Sequence, residues 1–327
     1  MLMTGLLLLL GFVLLVGGGE LLVRGAVRIA ERFGLSPMLI GLTIVGLGTS
    51  MPELAASVQA ALQGSPGIAV GNIVGSNLAN ILLILGAGAL IAPILVHRTV
   101  LWRDGMVGLG GVLLLIVAGI SFGLDRMVGA GCLVILAAYL WIAYQQERQG
   151  VEQTAASSRA AAVEDADDAL RPHETPSGSL GMAVVTFVAG LVLIVAGGIV
   201  LIDAAVSIAS TLGVSDEVIG LTIVAAGTSF PELVTTVVAA IRKQGDIALG
   251  NVLGSNIFNI FFIGGITGLV APGPIPASIA TFDLWVLLGA TIAAMVFAFT
   301  GGRLGRREGG VLLAAYVAFI AFTVASA

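Results

Sequence analysis

The sequence predicts an all-α integral membrane protein of ten transmembrane helices, arranged as two inverted five-helix repeats with both termini outside. Three observations support this: an apolar composition, the placement of the basic residues, and an internal repeat. Of the 327 residues, 58% are hydrophobic and only 10% are charged, and the mean hydropathy is +1.10. Soluble domains carry more charge than this, so the composition excludes a soluble protein.

Ten stretches are candidates to cross a bilayer, which requires about 20 mostly apolar residues per helix. We predict helices over 3–32, 36–61, 67–91, 102–122, 127–145, 180–211, 216–241, 247–271, 282–301 and 308–326. The first stretch lacks a basic leading segment and a small-residue cleavage site, so we interpret it as a retained helix. The single cysteine, Cys132, lies in an apolar run and is interpreted as a packing residue.

The basic residues predict the orientation, because Lys and Arg are retained on the cytoplasmic side. With the N-terminus outside, nearly all of them fall inside: Arg24, Arg28, Arg32, Arg98, Arg103, Arg148, Arg159, Arg171, Arg242, Lys243, Arg303, Arg306 and Arg307. Arg126 alone falls outside under this arrangement. A helix count that changed the parity would scramble the pattern, so ten spans fit best.

A polar segment at 146–179 separates the two halves of the chain. It is rich in Ala, Ser, Glu and Asp without apolar periodicity, so we predict a solvated, acidic, cytoplasmic linker. The chain then divides into a first repeat at 1–145 and a second at 180–327. The acidic run at 164–168 lacks the glycine turn and ligand spacing of an EF-hand, so we interpret it as a tether.

Two long motifs recur at a constant distance along the chain. GLTIVGLGTSMPEL at 41–54 aligns with GLTIVAAGTSFPEL at 220–233, and GNIVGSNLANI at 71–81 aligns with GNVLGSNIFNI at 250–260. The offset is 179 residues in both, since 232 − 53 = 179 and 259 − 80 = 179. Five helices per copy is an odd number, so the second copy enters the membrane from the opposite side. Such inverted repeats are typical of secondary transporters, whose substrate site lies near the midplane where the copies meet.

The first motif of each repeat predicts a broken helix that carries a carboxylate. Pro52 has no N–H, so the carbonyl of Gly48 loses its helical partner. Thr49 and Ser50 add hydroxyl oxygens, and Glu53 lies one turn further on. The second copy repeats the pattern with Gly227, Thr228, Ser229, Pro231 and Glu232. An ionisable residue at mid-bilayer costs at least about 2.5–3.5 kcal/mol, so two at matching places indicate function rather than packing.

The donors predicted at this site are all oxygens. Carboxylate, hydroxyl and carbonyl oxygens are the ligands of Ca²⁺, and Na⁺ accepts the neutral ones as well. The second motif supplies Ser76, Asn77 and Asn80 in the first copy and Ser255, Asn256 and Asn259 in the second. We expect those of its serine and asparagine oxygens that face the glutamates to coordinate the ion. The sequence has no Cys/His cluster, which argues against a soft-metal site. We interpret the glycines of this motif as positions of close helix approach.

These paired motifs resemble the α-repeats of the Ca²⁺/cation antiporter superfamily, and especially its prokaryotic sodium/calcium exchanger branch. The repeat motifs then span 41–86 and 220–265, and the resemblance covers nearly the whole chain. It implies a multi-pass protein of a prokaryotic cell membrane that exchanges Na⁺ for Ca²⁺ by alternating access, with helices one and six sliding past the core. It implies no cofactor, no nucleic acid and no obligate protein partner, so the partners are the transported cations and the lipid bilayer.

Residue by residue, the resemblance makes Glu53 and Glu232 the ligands that the Ca²⁺ and Na⁺ sites share. It implies as further ligands the side chains of Thr49, Ser50, Thr228, Ser229, Ser76, Asn80, Ser255 and Asn259 and the backbone carbonyls of Gly46 and Ala225. Asn259 departs from the pattern, because several exchangers carry Asp there. The Na⁺ stoichiometry, K⁺ co-transport and any proton role of that position are therefore open.

Other functions are alternatives to Na⁺/Ca²⁺ exchange. H⁺/Ca²⁺ exchange, or K⁺-dependent Na⁺/Ca²⁺ exchange, would use the same site. A cation channel needs a continuous pore, whereas inverted repeats with broken helices favour alternating access. An enzyme is disfavoured because no metal-binding histidine cluster or nucleophile pair is evident. Among the remaining charged residues, Glu20 and Arg24 are predicted to pair. Asp104 and Asp283 are predicted to open helices four and nine and to cap them or stabilise them through the helix dipole.

Overall fold

A computed structural model of the chain describes residues 2–33, 35–121, 123–164, 179–211 and 227–326. This part of the chain is helical apart from short loops and one pair of two-residue strands. The helices are α1 Leu2–Phe33, α2 Pro37–Thr49, α3 Met51–Leu62, α4 Gly67–Ile91, α5 Arg98–Ser121, α6 Arg126–Glu164, α7 Leu180–Thr211, α8 Phe230–Ile241, α9 Gly245–Val270, α10 Ile279–Gly301 and α11 Arg306–Ser326.

Eight of the described helices are long and apolar enough to cross a membrane, which confirms the predicted all-α membrane class. α2 and α3 together form a ninth candidate, bent by 43° at a short break. α8 is shorter, at 12 residues. The seventh predicted helix starts at 216, and its first part, 216–226, lies outside the described residues.

α6 is longer than predicted. It continues from Arg126 to Glu164, past the expected end at 145, so the described first part of the predicted linker is helical. Residues 146–164 are rich in Ala, Gln, Glu and Arg, which are good helix formers, and contain no proline. Near the predicted end, Glu147 Oε1 accepts a hydrogen bond of 3.1 Å from the backbone N–H of Ser36, just before α2. Residues 165–178 lie outside the described part.

α1 and α7 are packed against each other along most of their length. An added Cβ at Gly18 would lie 2.8 Å from the backbone nitrogen of Ile194, and one at Gly25 would lie 2.5 Å from that of Phe187. Backbones this close require glycine, as is common between membrane helices. Because residues later in α1 contact residues earlier in α7, the two helices are antiparallel.

Two loop pairings connect the halves of the chain. Strand β1, Ile94–Leu95, pairs antiparallel with strand β2, Arg303–Leu304. A single bridge joins Leu124 to Gly273. The offset of 179 carries position 94 onto 273 and position 124 onto 303, so the second pairing is the counterpart of the first.

The repeat extends to the helix geometry. α4 is π-helical over Ala79–Ile84 and α9 is π-helical over Phe258–Ile263, and the offset of 179 carries the first segment onto the second. π-helical turns inside α-helices are frequent at functional sites. Asn80 and Asn259 both lie in these segments, so the two amides share a local backbone geometry.

The predicted capping role of Asp104 is wrong. α5 begins at Arg98, so Asp104 lies inside the helix, where its side chain is fully buried. Its carboxylate accepts hydrogen bonds from Arg103 Nε at 2.6 Å and Nη2 at 3.0 Å, and from the Tyr139 hydroxyl at 2.8 Å. Asp283 likewise makes no capping hydrogen bond with its side chain.

Candidate cation-binding site

Both predicted helix breaks lie immediately before the glutamates. α2 ends at Thr49 and α3 begins at Met51, with Ser50 between them at φ −85° and ψ 7°. Ser229 precedes α8 with nearly the same angles, φ −87° and ψ 7°. In each case the proline lies in the first turn of the following helix, where a missing N–H is tolerated. The two motifs therefore fold alike.

Glu53 and Glu232 meet in one buried site. Each is only 1% exposed. Ser50 Oγ donates a hydrogen bond of 3.1 Å to Glu232 Oε1, and Ser229 Oγ donates one of 3.2 Å to Glu53 Oε1. The serine of each motif thus contacts the carboxylate of the other motif. The structure therefore brings together the two acidic side chains from motifs that are 179 residues apart.

Several oxygens of the predicted ligands are buried without a hydrogen-bond partner among the described residues. Each carboxylate has one such oxygen, Glu53 Oε2 and Glu232 Oε2. Ser76 Oγ and the amide oxygens of Asn80 and Asn259 are in the same condition. Leaving a buried polar group unpaired costs about 1–3 kcal/mol, and more for a charged one. A dehydrated Na⁺ or Ca²⁺ accepts oxygen ligands of this kind, so the donor set fits a hard cation.

Thr49, Gly46 and Ser255 form a second group of oxygens beside the glutamates. The Thr49 hydroxyl lies 3.3 Å from Gly46 O, to which it can donate, and 3.4 Å from Ser255 Oγ. Ser255 Oγ in turn lies 3.5 Å from Gly46 O. The carbonyl and both hydroxyls are therefore within reach of one another at the crossing of α2 and α9.

Glycines make this crossing possible. An added Cβ at Gly254 would lie 2.1 Å from Leu42 O, and one at Gly250 would lie 2.6 Å from Met38 O. The close approach expected for these two glycines is therefore confirmed. By contrast, a Cβ at Gly71 would make an ordinary contact of 3.7 Å with Ile279.

Two predicted ligands, Thr228 and Ala225, are not placed in the buried site by the described structure. Thr228 lies in the turn before Ser229 and is partly exposed, whereas its counterpart Thr49 is fully buried. Ala225, the predicted carbonyl ligand, lies outside the described residues. The site is thus described completely on the side of the first motif and from Gly227 onward in the second.

Sequence reasoning missed one pair of residues, Asn72 and Asn251. Asn72 Nδ2 donates to Glu53 O at 3.2 Å and to Ser57 Oγ at 2.9 Å. The matching bonds of Asn251 Nδ2 run to Glu232 O at 3.2 Å and to Thr236 Oγ1 at 3.0 Å. The repeat itself was the available signal, because both asparagines follow the first glycine of the second motif at the same offset of 179.

Comparisons with known proteins agree with this geometry. The profile of the family described as sodium/calcium exchanger protein matches residues 3–145 and 182–325. The sodium/calcium exchanger MaX1 of Methanosarcina acetivorans is 37% identical, over 96% of this chain and 97% of that protein. The inner membrane protein YrbG of Escherichia coli is 34% identical, over 96% and 94%. A solved structure of the sodium-calcium exchanger NCX_Mj superposes with a TM-score of 0.82 at 32% identity, covering 98% of both chains.

Proposed function

This chain belongs to the sodium/calcium exchanger family, and from that premise we propose that Glu53 and Glu232 bind the cations it exchanges. As a member of this family it is a multi-pass Na⁺/Ca²⁺ antiporter of the cell membrane and not an enzyme. The observation that carries the proposal is the pair of reciprocal serine–glutamate bonds, which leaves one buried oxygen of each carboxylate unpaired within the described structure.

The proposed cage combines these carboxylates with neutral oxygens from four helical segments. Its members are Thr49, Ser50, Thr228, Ser229, Ser76, Asn80, Ser255 and Asn259 through their side chains, and Gly46 and Ala225 through their carbonyls. The mutual contacts of Ser255, Thr49 and Gly46 support their assignment to the cage. For Ser76, Asn80 and Asn259, the support is a buried oxygen that lacks a hydrogen-bond partner among the described residues.

The charge of the site explains why exchange is coupled. Two ionised glutamates place a charge of −2 in a site with almost no solvent exposure. One Ca²⁺ neutralises this charge, and two Na⁺ do so equally well, whereas a third Na⁺ makes exchange electrogenic. An empty site leaves two carboxylates without compensation in a low dielectric, which opposes any conformational switch. The protein therefore changes state only when it is loaded, and leak is suppressed.

The architecture proposed for the whole chain has ten spans, both termini outside, and a cytoplasmic linker at 146–179. The repeats at 1–145 and 180–327 are then inverted copies. The antiparallel packing of α1 and α7 supports this, because these are the first helices of the two repeats. The loop pairings at Ile94–Leu95 and at Leu124 support it too, since they join loops that lie on the same side of the membrane in this arrangement.

We infer that the side of the site assigned to the cytoplasm is closed. α1 lies on α8, where an added Cβ at Gly19 would be 2.9 Å from Val234 and 3.0 Å from Val238. The predicted pair of Glu20 with Arg24 is confirmed, and Glu20 Oε2 also accepts a hydrogen bond of 2.8 Å from Arg242 Nε at the end of α8. Because Arg242 is assigned to the cytoplasm, these contacts close the inner side.

The matching surface of the first repeat is open. The offset of 179 carries the three contact positions 19, 234 and 238 onto Gly198, Ala55 and Gln59. Ala55 and Gln59 line a groove of about 680 Å³ between α3 and α9, and a Cβ at Gly198 would meet no described atom within 4 Å. No member of the proposed cage lines this groove, and both glutamates are 1% exposed. We therefore propose that the structure is an outward-facing state with a buried site, and that α7 covers this groove in the inward-open state.

Replacing Gly198 with leucine should trap the outward-facing state. In that state the added side chain has room, whereas in the inward-open state it would meet Ala55 and Gln59 at the distances seen for Gly19. A penalty of at least about 1.4 kcal/mol lowers the population of the inward-open state at least about tenfold. We expect Na⁺-driven exchange in proteoliposomes to fall by a similar factor while external Ca²⁺ binding persists. Gly17→Leu, at an exposed position of α1, is the control, and equal losses in both variants would contradict the assignment.

Ion flux tests the exchange function directly. Purified protein in proteoliposomes should take up radioactive Ca²⁺ when an outward Na⁺ gradient is imposed, and uptake should stop when the gradient is collapsed. Parallel K⁺ and proton gradients distinguish K⁺-dependent and H⁺/Ca²⁺ exchange at the same site. Uptake that does not saturate and that needs no counter-cation would indicate a channel and would overturn the proposal.

A further inference from the structure

We propose that Asn72 and Asn251 are positioning residues that set the size of the cation cage by fixing each glutamate against the helix that supplies the neutral ligands. This deepens the proposed function and rests on it, because it concerns the geometry of the same site. Neither asparagine is itself a ligand in this proposal, since both donate through Nδ2 to the backbone and to a hydroxyl.

The bonds of the two asparagines are nearly identical although their surroundings differ. Each amide nitrogen lies 3.2 Å from the backbone carbonyl oxygen of its glutamate. The distance to the hydroxyl is 2.9 Å from Asn72 to Ser57 and 3.0 Å from Asn251 to Thr236. Asn251 is fully buried in the half covered by α1, whereas Asn72, in the other half, is only partly buried. The bonds therefore do not depend on which half is covered, so they persist when access alternates.

The placement of Asn72 on α4 connects it to the ligands. Asn72, Ser76 and Asn80 are spaced at i, i+4 and i+8, which puts them on one face of the helix. The same spacing relates Asn251 to Ser255 and Asn259 on α9. Each asparagine thus holds the backbone of a glutamate at a fixed distance from the face that carries the serine and asparagine oxygens.

Asn251 also joins the two repeats. Its Oδ1 lies 3.2 Å from the Thr49 hydroxyl, which can donate to it, while its Nδ2 contacts Glu232 O and Thr236. An asparagine amide offers two donor hydrogens and an acceptor oxygen, so all parts of this side chain are engaged. Loss of Asn251 therefore disturbs one glutamate and one hydroxyl of the opposite motif together.

A fixed cage matters because Ca²⁺ binds oxygen within a narrow range, about 2.3–2.6 Å. A shift of one helix by a fraction of an ångström changes several of these distances at once. We therefore expect the affinity for Ca²⁺, and its ratio to the affinity for Na⁺, to respond more than the amount of folded protein. A packing role alone would change the folded amount and leave the half-saturation constants as they are.

The same helices provide matched controls. Asn77 and Asn256 are also buried, at 1% and 6% exposure, and are related by the same offset of 179. They line a separate cavity of about 60 Å³ with a largely apolar lining that includes Ile81 and Ile260. Asn77 Nδ2 bonds within its own helix, to Ile73 O at 2.6 Å, and not to a glutamate segment. The amide oxygens of Asn77 and Asn256, like those of Asn80 and Asn259, are buried without a partner among the described residues. Asn→Leu at these positions therefore removes a buried amide that makes no hydrogen bond to a glutamate segment in the described structure.

The experiment compares Asn72→Leu and Asn251→Leu with Asn77→Leu and Asn256→Leu in purified, reconstituted protein. Half-saturation constants for external Ca²⁺ and Na⁺ are measured by flux, with monodispersity and thermal stability as folding readouts. Asn72→Leu and Asn251→Leu should raise the half-saturation constant for Ca²⁺ by at least about tenfold, with the larger effect in Asn251→Leu. In Asn77→Leu and Asn256→Leu this constant should stay within about twofold of the wild-type value. Thr236→Val, which removes only one partner of Asn251, should give a smaller shift and serves if Asn251→Leu does not fold.

Unchanged Ca²⁺ constants in Asn72→Leu and Asn251→Leu, or equal shifts in both pairs, would overturn this inference. The outcome is separable from that of the proposed function. If the glutamate variants lose Ca²⁺ binding while the Asn72 and Asn251 variants bind normally, only the positioning role fails. If the glutamate variants bind Ca²⁺ as well as the wild type does, the proposed site fails as a whole.

Discussion

Glu53→Gln and Glu232→Gln should each reduce Na⁺-driven Ca²⁺ uptake by at least about 100-fold, because each removes one of the two charges proposed to balance a bound Ca²⁺. Removing one partner of a buried charge pair typically costs about 3–5 kcal/mol, which corresponds to about 100-fold or more. Glutamine keeps the size of the side chain and can still accept the hydrogen bond from Ser229 or Ser50, so the fold is preserved. Uptake per folded molecule in proteoliposomes, with Ca²⁺ binding by calorimetry, measures the loss.

Glu31→Gln is the matched control for this pair. Glu31 lies at the exposed end of α1, away from the site, so its neutralisation should leave uptake unchanged. Both site variants are needed, because the reciprocal serine bonds predict that the two glutamates contribute alike. Wild-type rates in either site variant would show that the cations bind elsewhere.

Gly190→Leu should disrupt the packing of α1 against α7. An added Cβ at this position would lie 2.3 Å from the backbone nitrogen of Leu22 and 2.8 Å from Gly18 O, so the helices must separate. Overpacking of this kind costs about 1–3 kcal/mol or more, and we expect the Tm in detergent to fall by several degrees. Transport per folded molecule should fall as well, since α1 and α7 move together in the proposed mechanism.

Gly181→Leu provides the comparison on the same helix. The nearest described atom to a Cβ at Gly181 is Ser179 Oγ at 3.9 Å, so the larger side chain has room. This variant should keep the Tm and the transport rate of the wild type. A Gly190→Leu protein as stable and active as Gly181→Leu would show that the close contact is not required.

The site was partly predictable because its strongest signals are local in the sequence. Proline beside glutamate within an apolar helix indicates a break and a buried charge without knowledge of any neighbour. The positions of Asn72 and Asn251 were not predictable in this way, because their partners are a backbone carbonyl and a hydroxyl on another helix. The prediction for Asp104 was wrong for a similar reason, because its partner Tyr139 lies on another helix, α6. In addition, α5 begins earlier than the hydropathy suggested.

The sequence by itself determined the membrane class, the repeat and the pair of acidic residues. An apolar chain must satisfy its backbone hydrogen bonds within helices, and a constant offset of 179 relates the two motifs whatever their packing. Only the tertiary structure decided which half is open. The two repeats are so alike in sequence that the first helix of either repeat could pack over the broken helix of the other. α1 packs on α8, with Glu20 bonded to Arg242, whereas the matching groove beside α3 is left exposed.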